Sequence, residues 1–334
     1  MIRLVGAELD RLRARRSFWV FALAALLIVV AFQTATNSTL RPPTAEQVAS
    51  QREAYEQTHR EWEQQCGPGS PGAAETTPAG DASAEPSSGP DDPDDYCANV
   101  PEPQLSDFAY GQQSFADAAR SSVQISTLLG ALLAFLIGAS SIGAEYASGA
   151  IGNWLTYVPR RGRVFAAKAL AVALATAVVS AVLSAAAVAG PALLARGYDL
   201  PLTGLGDVSA LAGRSVGLIA MAGLLGFCAA LLTKHTVAAV GIALGYAIAT
   251  SVSSGVLAFS KHAEKVVPWT PQANFQAVLE HDYSYQVIDG TGFGEGSESR
   301  TAVLTFEHGL VYSLVLLAAV LAVSLLVFRR RDVG

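Results

Sequence analysis

Apolar residues in this chain are gathered into six long runs, and polar residues fill the segments between them. The runs cover residues 17–33, 122–144, 164–194, 208–232, 236–258 and 309–328. An α-helix needs roughly 20 apolar residues to cross a bilayer, and each run approaches or exceeds that length. The pattern therefore predicts an all-α polytopic membrane protein with six transmembrane helices.

The charged residues are sorted by position, and this sorting predicts the topology. Basic residues cluster in segment 1–16, in the loop 145–163 and in the tail that follows residue 328. Segments rich in Lys and Arg stay in the cytoplasm, so we expect all three clusters on that side. Six spans with both termini cytoplasmic satisfy every cluster, because an even number of crossings returns the chain to its starting side.

Segment 1–16 alternates leucines with arginines, which predicts an amphipathic helix on the cytosolic membrane surface that leads into the first span. A cleaved signal peptide is the alternative, since a basic stretch precedes an apolar run. Glu8 and Asp10 interrupt the basic stretch, and the apolar run is long for a signal. We therefore expect the segment to be retained.

The segment 34–121 is predicted to be a large extracytoplasmic loop that is acidic and rich in Pro and Gly. Residues 67–95 hold too few apolar groups to offset the entropy of ordering. Cys66 and Cys97 bracket this tract, and outside the cytosol they are expected to form a disulfide, with two free thiols as the alternative. A second extracytoplasmic segment, residues 259–308, precedes the last span and its basic tail, residues 309–334.

Composition supports a membrane protein and excludes several other classes. Hydrophobic residues make up 51% of the chain and charged residues only 15%, below the quarter that is usual for soluble domains. The basic clusters adjoin apolar runs instead of forming a basic domain, which argues against nucleic-acid binding. The chain has no GxxxxGK[ST] phosphate loop and no HExxH motif. No catalytic residue, metal site or cofactor is therefore predicted for this chain.

Polar and small residues inside the spans suggest two further features. Hydroxyl-bearing side chains in the second and fifth spans are candidates for a substrate path, although such groups often bond their own helix backbone instead. These candidates are Ser126, Thr127, Ser140, Tyr246, Thr250 and Ser254.

Glycine pairs at four-residue spacing, Gly213/Gly217 and Gly241/Gly245, allow close helix contact within one subunit or across a dimer. Arg214 is the charge placed well inside a span, and either snorkelling or a pairing acid would explain it.

Three stretches together resemble a known family. They are the basic lead-in with Glu8, the loop EYASGAIGNWLTYVPRRGRVFAAK, and LLGFCAALLTKHTVAAVGIALG between the fourth and fifth spans. The chain looks like a membrane permease of the ABC transporter type-2 family. Glu145, Gly149, Arg161 and Lys168 match the family pattern in the loop, while Ala150 stands where the family has Thr. Residues 40–110 fall outside the resemblance and look like an insertion.

The resemblance implies a dimer with a second permease copy or paralogue, bound to separate ATPase subunits that hold ATP and Mg. The cytosolic loop 145–163 would supply the coupling helix, with Ile151, Trp154 and Leu155 filling a groove on the ATPase. The second and fifth spans would frame the path, and residues 265–279 would form short re-entrant helices.

The implied function is ATP-driven transport, by analogy the export of an amphiphilic or hydrophobic substrate across a bacterial plasma membrane. The alternatives are a membrane sensor or anchor that works through its outer loop, and an intramembrane enzyme. An enzyme would need paired ionisable residues facing each other within the spans.

Overall fold

The computed structural model describes residues 2–67, 101–108, 112–150, 160–257, 263–289 and 298–330. It divides into two compact units, residues 1–38 with 114–334, and residues 39–113. The α-helices are α1 (Ile2–Ala14), α2 (Arg16–Leu40), α3 (Ala45–Cys66), α4 (Phe115–Ala147), α5 (Arg161–Gly197), α6 (Leu205–Thr233), α7 (Thr236–Leu257), α8 (Ala263–Val266), α9 (Pro271–Glu280) and α10 (Phe306–Arg330). Short 3₁₀ helices cover Leu105–Phe108 and Val267–Trp269, and the strands are β1 (Asp282–Asp289) and β2 (Glu298–Thr305).

The six predicted membrane helices are confirmed. In the described part of the chain, α2, α4, α5, α6, α7 and α10 are long and apolar enough to cross a membrane. All but α7 begin before and end after the predicted runs. The start of α4 shows the reason: Ser114 Oγ accepts from the Asp117 backbone N–H at 3.2 Å, and the Phe115 side chain is almost completely buried. A capped helix end that is packed against its neighbours continues beyond its apolar run.

Close packing between α4 and α6 forms the centre of the helix bundle. A Cβ at Gly138 would overlap the carbonyl oxygen of Gly223, and one at Gly226 would overlap the backbone of Phe135. The two helix backbones can approach this closely only because these positions lack side chains.

The glycine pairs chosen from sequence spacing behave differently from these contact glycines. At Gly213, Gly217, Gly241 and Gly245 an added Cβ would meet nothing within 4 Å. The interpretation that they mediate packing within one subunit is therefore wrong. In the described part of the chain, no other residue packs against these four glycine positions.

The segment before the last span contains the predicted short helices and, in addition, a β-hairpin. Short helices, α8, the 3₁₀ turn and α9, occupy the stretch for which helices were predicted. They are followed by an antiparallel hairpin of β1 and β2, in which Tyr283 lies opposite Leu304. The hairpin was not predicted. Its Val287 and Leu304 are buried in a small core with Ala277 of α9, so helix and hairpin form one packed element.

The second unit, residues 39–113, is built on α3. Thr44 and Gln47 form a reciprocal capping box that fixes the start of this helix. The Tyr55 ring packs edge-on against Phe108 with centroids 6.0 Å apart, and His59 Nε2 lies 3.1 Å from Glu102 Oε1. Cys66 is the last residue of α3, whereas Cys97 falls outside the described residues. The Cys66–Cys97 disulfide therefore stays a prediction.

Candidate coupling site

A buried cluster of charged side chains lies at the end of the bundle where α4 finishes and α5 begins. Lys168 is its centre, and its side chain is only 5% exposed. The ammonium Nζ lies 2.8 Å from Glu8 Oε2 and 2.8 Å from Glu145 Oε2. One cation thereby joins α1, the last turns of α4 and the first turns of α5.

Arg15, at the junction of α1 and α2, completes the cluster. Its Nη2 lies 3.3 Å from Glu145 Oε1, and its Nη1 donates to the carbonyl oxygen of Ser140 at 2.7 Å. The ion pairs thus join two cations to two carboxylates. Breaking such a buried pair by removing one partner typically destabilises by about 3–5 kcal/mol, because a charge is left uncompensated.

The spacing of residues on α1 explains why Glu8 reaches this position. Val5, Glu8 and Leu12 are the buried residues of α1 and lie at i, i+3 and i+7 on one helical face. Val5 and Leu12 join a core cluster that includes Phe165 and Val172 of α5. The apolar stripe of α1 is thus covered by protein, and Glu8 in the middle of the stripe points at Lys168.

The loop predicted to couple to an ATPase is held at both ends by this cluster. Glu145, the first residue of the predicted loop, lies in the last turn of α4, and Lys168 lies two turns after α5 begins. Gly149 has φ +67°, a left-handed conformation that favours glycine. Ile151, Trp154 and Leu155 lie outside the described residues, so their contact with a partner stays a prediction.

Two described residues that were predicted to couple to the ATPase, Glu145 and Arg161, contact this chain itself, whereas Gly149 is exposed. Glu145 is 5% exposed and directed into the ion cluster. Arg161 Nη1 donates to the carbonyl oxygen of Arg329, at the end of α10, at 3.3 Å. These two residues therefore position the ends of the loop through contacts within this chain.

The candidate path residues are not brought together among the described residues. Ser126 and Thr127 are buried within the bundle, whereas Tyr246 on α7 is 41% exposed. Several hydroxyls bond their own helix, for example Thr127 Oγ1 to the Val123 carbonyl at 2.7 Å and Thr250 Oγ1 to the Ala247 carbonyl at 3.0 Å. Ser140 and Ser254 do the same, to Ile137 and Ser251. Their role in a path stays a prediction.

Arg214 binds a helix end, whereas the sequence suggested snorkelling or pairing with an acid. Its Nε donates to the carbonyl oxygen of Leu279 at 2.8 Å, in the last turn of α9. A cation suits a helix C-terminus, where carbonyl groups lack partners. Gln124 on α4 adds a second link, because its Nε2 donates to Glu280 Oε1 at 3.0 Å. Together these bonds fasten α9 to α4 and α6.

The ion cluster itself was missed from the sequence, although one signal was present. Glu8 lies on the apolar stripe of an amphipathic helix, where an acid is costly unless a cation meets it. Lys168 lies near the start of the third apolar run, and only the resemblance to the family singled it out. The sequence separates Lys168 from Glu8 by 160 residues, so pairing them required the fold.

Comparison with known proteins identifies the family. A family model described as ABC-2 family transporter protein matches residues 4–333, nearly the whole chain. No curated protein and no solved structure matches this chain. The six apolar helices and the loop features fit this assignment. The chain therefore belongs to the ABC-2 transporter family and is a multi-pass membrane permease of an ABC transporter.

Proposed function

We propose that this permease forms the translocation half of an ATP-driven exporter, and that a separate ATPase subunit drives it through residues 149–163. One observation carries the proposal: Lys168 binds Glu145 and Glu8 at the same time. Both ends of the loop are thereby tied to α1. ABC-2 permeases generally work with an ABC ATPase, which supports the need for such a partner.

The cluster gives the loop a way to move the membrane helices. When an ATPase displaces the loop, the ends of α4 and α5 must follow it, and α1 is carried with them. Separating the three elements would strand buried charges, at a cost of about 3–5 kcal/mol. The helices therefore respond as a rigid body, which is the usual basis of alternating access. ATP and Mg would be held by the partner, and this chain needs no cofactor.

A second permease copy would complete the path. The helix α7 is exposed over most of its surface, with Ile242, Leu244 and Val252 all more than half exposed. The open faces of Gly241 and Gly245 on this helix allow another helix to approach closely. A second copy seated there would set the exposed hydroxyls of α7 beside the dimer axis. A lining of hydroxyls and aliphatic groups suits an amphiphilic or hydrophobic substrate.

The loop is tested by comparing two substitutions within it. Trp154→Ala should strongly reduce co-purification of the ATPase and its stimulated ATP hydrolysis, because losing a buried aromatic anchor typically costs about 2 kcal/mol or more. Arg163→Ala is the matched control, since Arg163 is exposed at the start of α5 and a rim charge is worth about 1 kcal/mol or less. If Trp154→Ala leaves the complex and its hydrolysis intact, the tryptophan only anchors at the membrane surface and the coupling assignment fails.

A further inference from the structure

Arginines from two distant helices meet where α5 begins and α10 ends. Arg161 Nη1 donates to the carbonyl oxygen of Arg329 at 3.3 Å. The guanidinium of Arg329 in turn lies over Gly162, where a Cβ would stand 3.0 Å from its Nη2. Two positive side chains thus share one small surface that a side chain at residue 162 would crowd.

Buried aromatic packing holds this arrangement in place. The Phe328 ring lies 6.3 Å from that of Phe165, and Phe165 lies 5.6 Å from Phe227 on α6. All three phenylalanines are less than a tenth exposed. The residue before Arg329 and a residue one turn after Arg161 are therefore fixed to each other. The arginines therefore meet because the buried core fixes the helix ends that carry them.

The described residues at these two helix ends carry several positive charges. Arg163 and Arg330 are exposed at the same two helix ends, and the first turn of α5 contains no acidic residue. In the described part of the chain, no acidic side chain forms an ion pair with Arg163, Arg329 or Arg330. Like charges held close together repel each other, so a bound anion would be favourable here.

Each helix continues from its arginine into an exposed apolar stripe. On α5, Leu170 and Leu174 follow Arg163 at i+7 and i+11 and are 48% and 44% exposed. On α10, Leu326 and Val323 precede Arg330 at i−4 and i−7 and are 53% and 51% exposed. Residues at these spacings share one helical face. A positive helix end next to an apolar stripe matches a phospholipid, which has an anionic headgroup and apolar acyl chains. Free phosphate would make no contact with the apolar stripe.

We propose that this arginine patch, formed by Arg161, Arg163, Arg329 and Arg330, binds the phosphate of an anionic phospholipid whose acyl chains lie along the two stripes. Arginine suits phosphate because its planar fork donates several hydrogen bonds. The bound lipid neutralises the patch and fastens the start of α5 to the end of α10. The site depends on the permease alone and needs no ATPase.

The test uses the purified full-length chain in neutral detergent. Phosphatidylglycerol and phosphatidylcholine are titrated separately, and binding is followed by the rise in melting temperature and by a fluorescent lipid analogue. We expect phosphatidylglycerol to bind and stabilise, and phosphatidylcholine to do neither. Arg329→Gln combined with Arg330→Gln should weaken phosphatidylglycerol binding by at least about tenfold, since each basic residue near an anionic headgroup contributes about fivefold.

Two exposed arginines elsewhere serve as controls. Arg196→Gln, at the other end of α5, and Arg3→Gln, on α1, should leave binding unchanged. If the double variant does not fold, Arg330→Gln alone should still weaken binding by about fivefold. Equal binding of both lipids, wild-type binding by the variants, or equal losses in the controls would overturn the proposal. Equal stabilisation by inorganic phosphate would also overturn it, because the stripes would then play no part.

Discussion

Replacing Lys168 by methionine probes the buried cluster most simply, because the new side chain has a similar length and no charge. The substitution removes the ammonium group from the carboxylates of Glu8 and Glu145, whose side chains are 8% and 6% exposed. Glu145 keeps Arg15 at 3.3 Å, whereas no other ion pair to Glu8 is found in the described part of the chain. We therefore expect a loss of about 3 kcal/mol in the free energy of unfolding, the lower end of the range for breaking a buried pair.

Unfolding of the purified permease by titration with SDS measures this loss. Adding Glu8→Gln to Lys168→Met removes the stranded charge, so the double variant should be less destabilised than the sum of the two single variants. Lys265→Met is the control, because Lys265 is exposed and its loss should change stability by no more than about 0.5 kcal/mol. If Lys168→Met behaves like this control, or if the two single effects add, the cluster does not hold the three elements together.

Two further predictions concern the outer loop and the dimer. Cys66 and Cys97 should react with an impermeant thiol reagent on intact cells only after reduction; labelling without reduction would disprove the disulfide, and none after reduction would contradict the topology. Gly241→Cys should form a reducible cross-link between two copies when the protein is purified with an oxidant, because α7 is expected to face its counterpart. Gly206→Cys, whose position is also open, should not cross-link, and equal cross-linking of both would remove the evidence for that interface.

The spans were readable from sequence because hydropathy and charge are local properties. Runs such as 208–232 are long, apolar and bounded by polar residues, and the ends of each observed helix lie within seven residues of its predicted run. The hairpin was missed although β1, DYSYQVID, alternates polar and apolar residues as a half-buried strand does. Its partner strand begins at Glu298, after a stretch of sequence that is rich in glycine.

The sequence predicted only part of the candidate site. Resemblance to the family selected Glu145 and Lys168, which the structure joins directly, but gave no reason for either charge. The reason is the third partner, Glu8, which reaches them through packing of α1 on α5. Contacts between residues so far apart depend on tertiary structure, which residue patterns do not contain. The within-subunit interpretation of the glycine pairs was wrong for the same reason, because spacing alone does not reveal which element lies opposite a glycine.

The central claim is that α1 and the two ends of the coupling loop move together when the ATPase acts. Spin labels at Ala7→Cys on α1 and Ala147→Cys at the end of α4 occupy exposed positions on the two elements. Their distance is measured by double electron–electron resonance in the complex with its ATPase, diluted with unlabelled permease so that only pairs within one copy contribute. In the protein with Lys168, we predict the same distance distribution with ATP as without nucleotide. In the Lys168→Met variant, we predict that ATP shifts the distribution. A shift in the Lys168 protein itself would contradict the account, because α1 would then move independently of the loop.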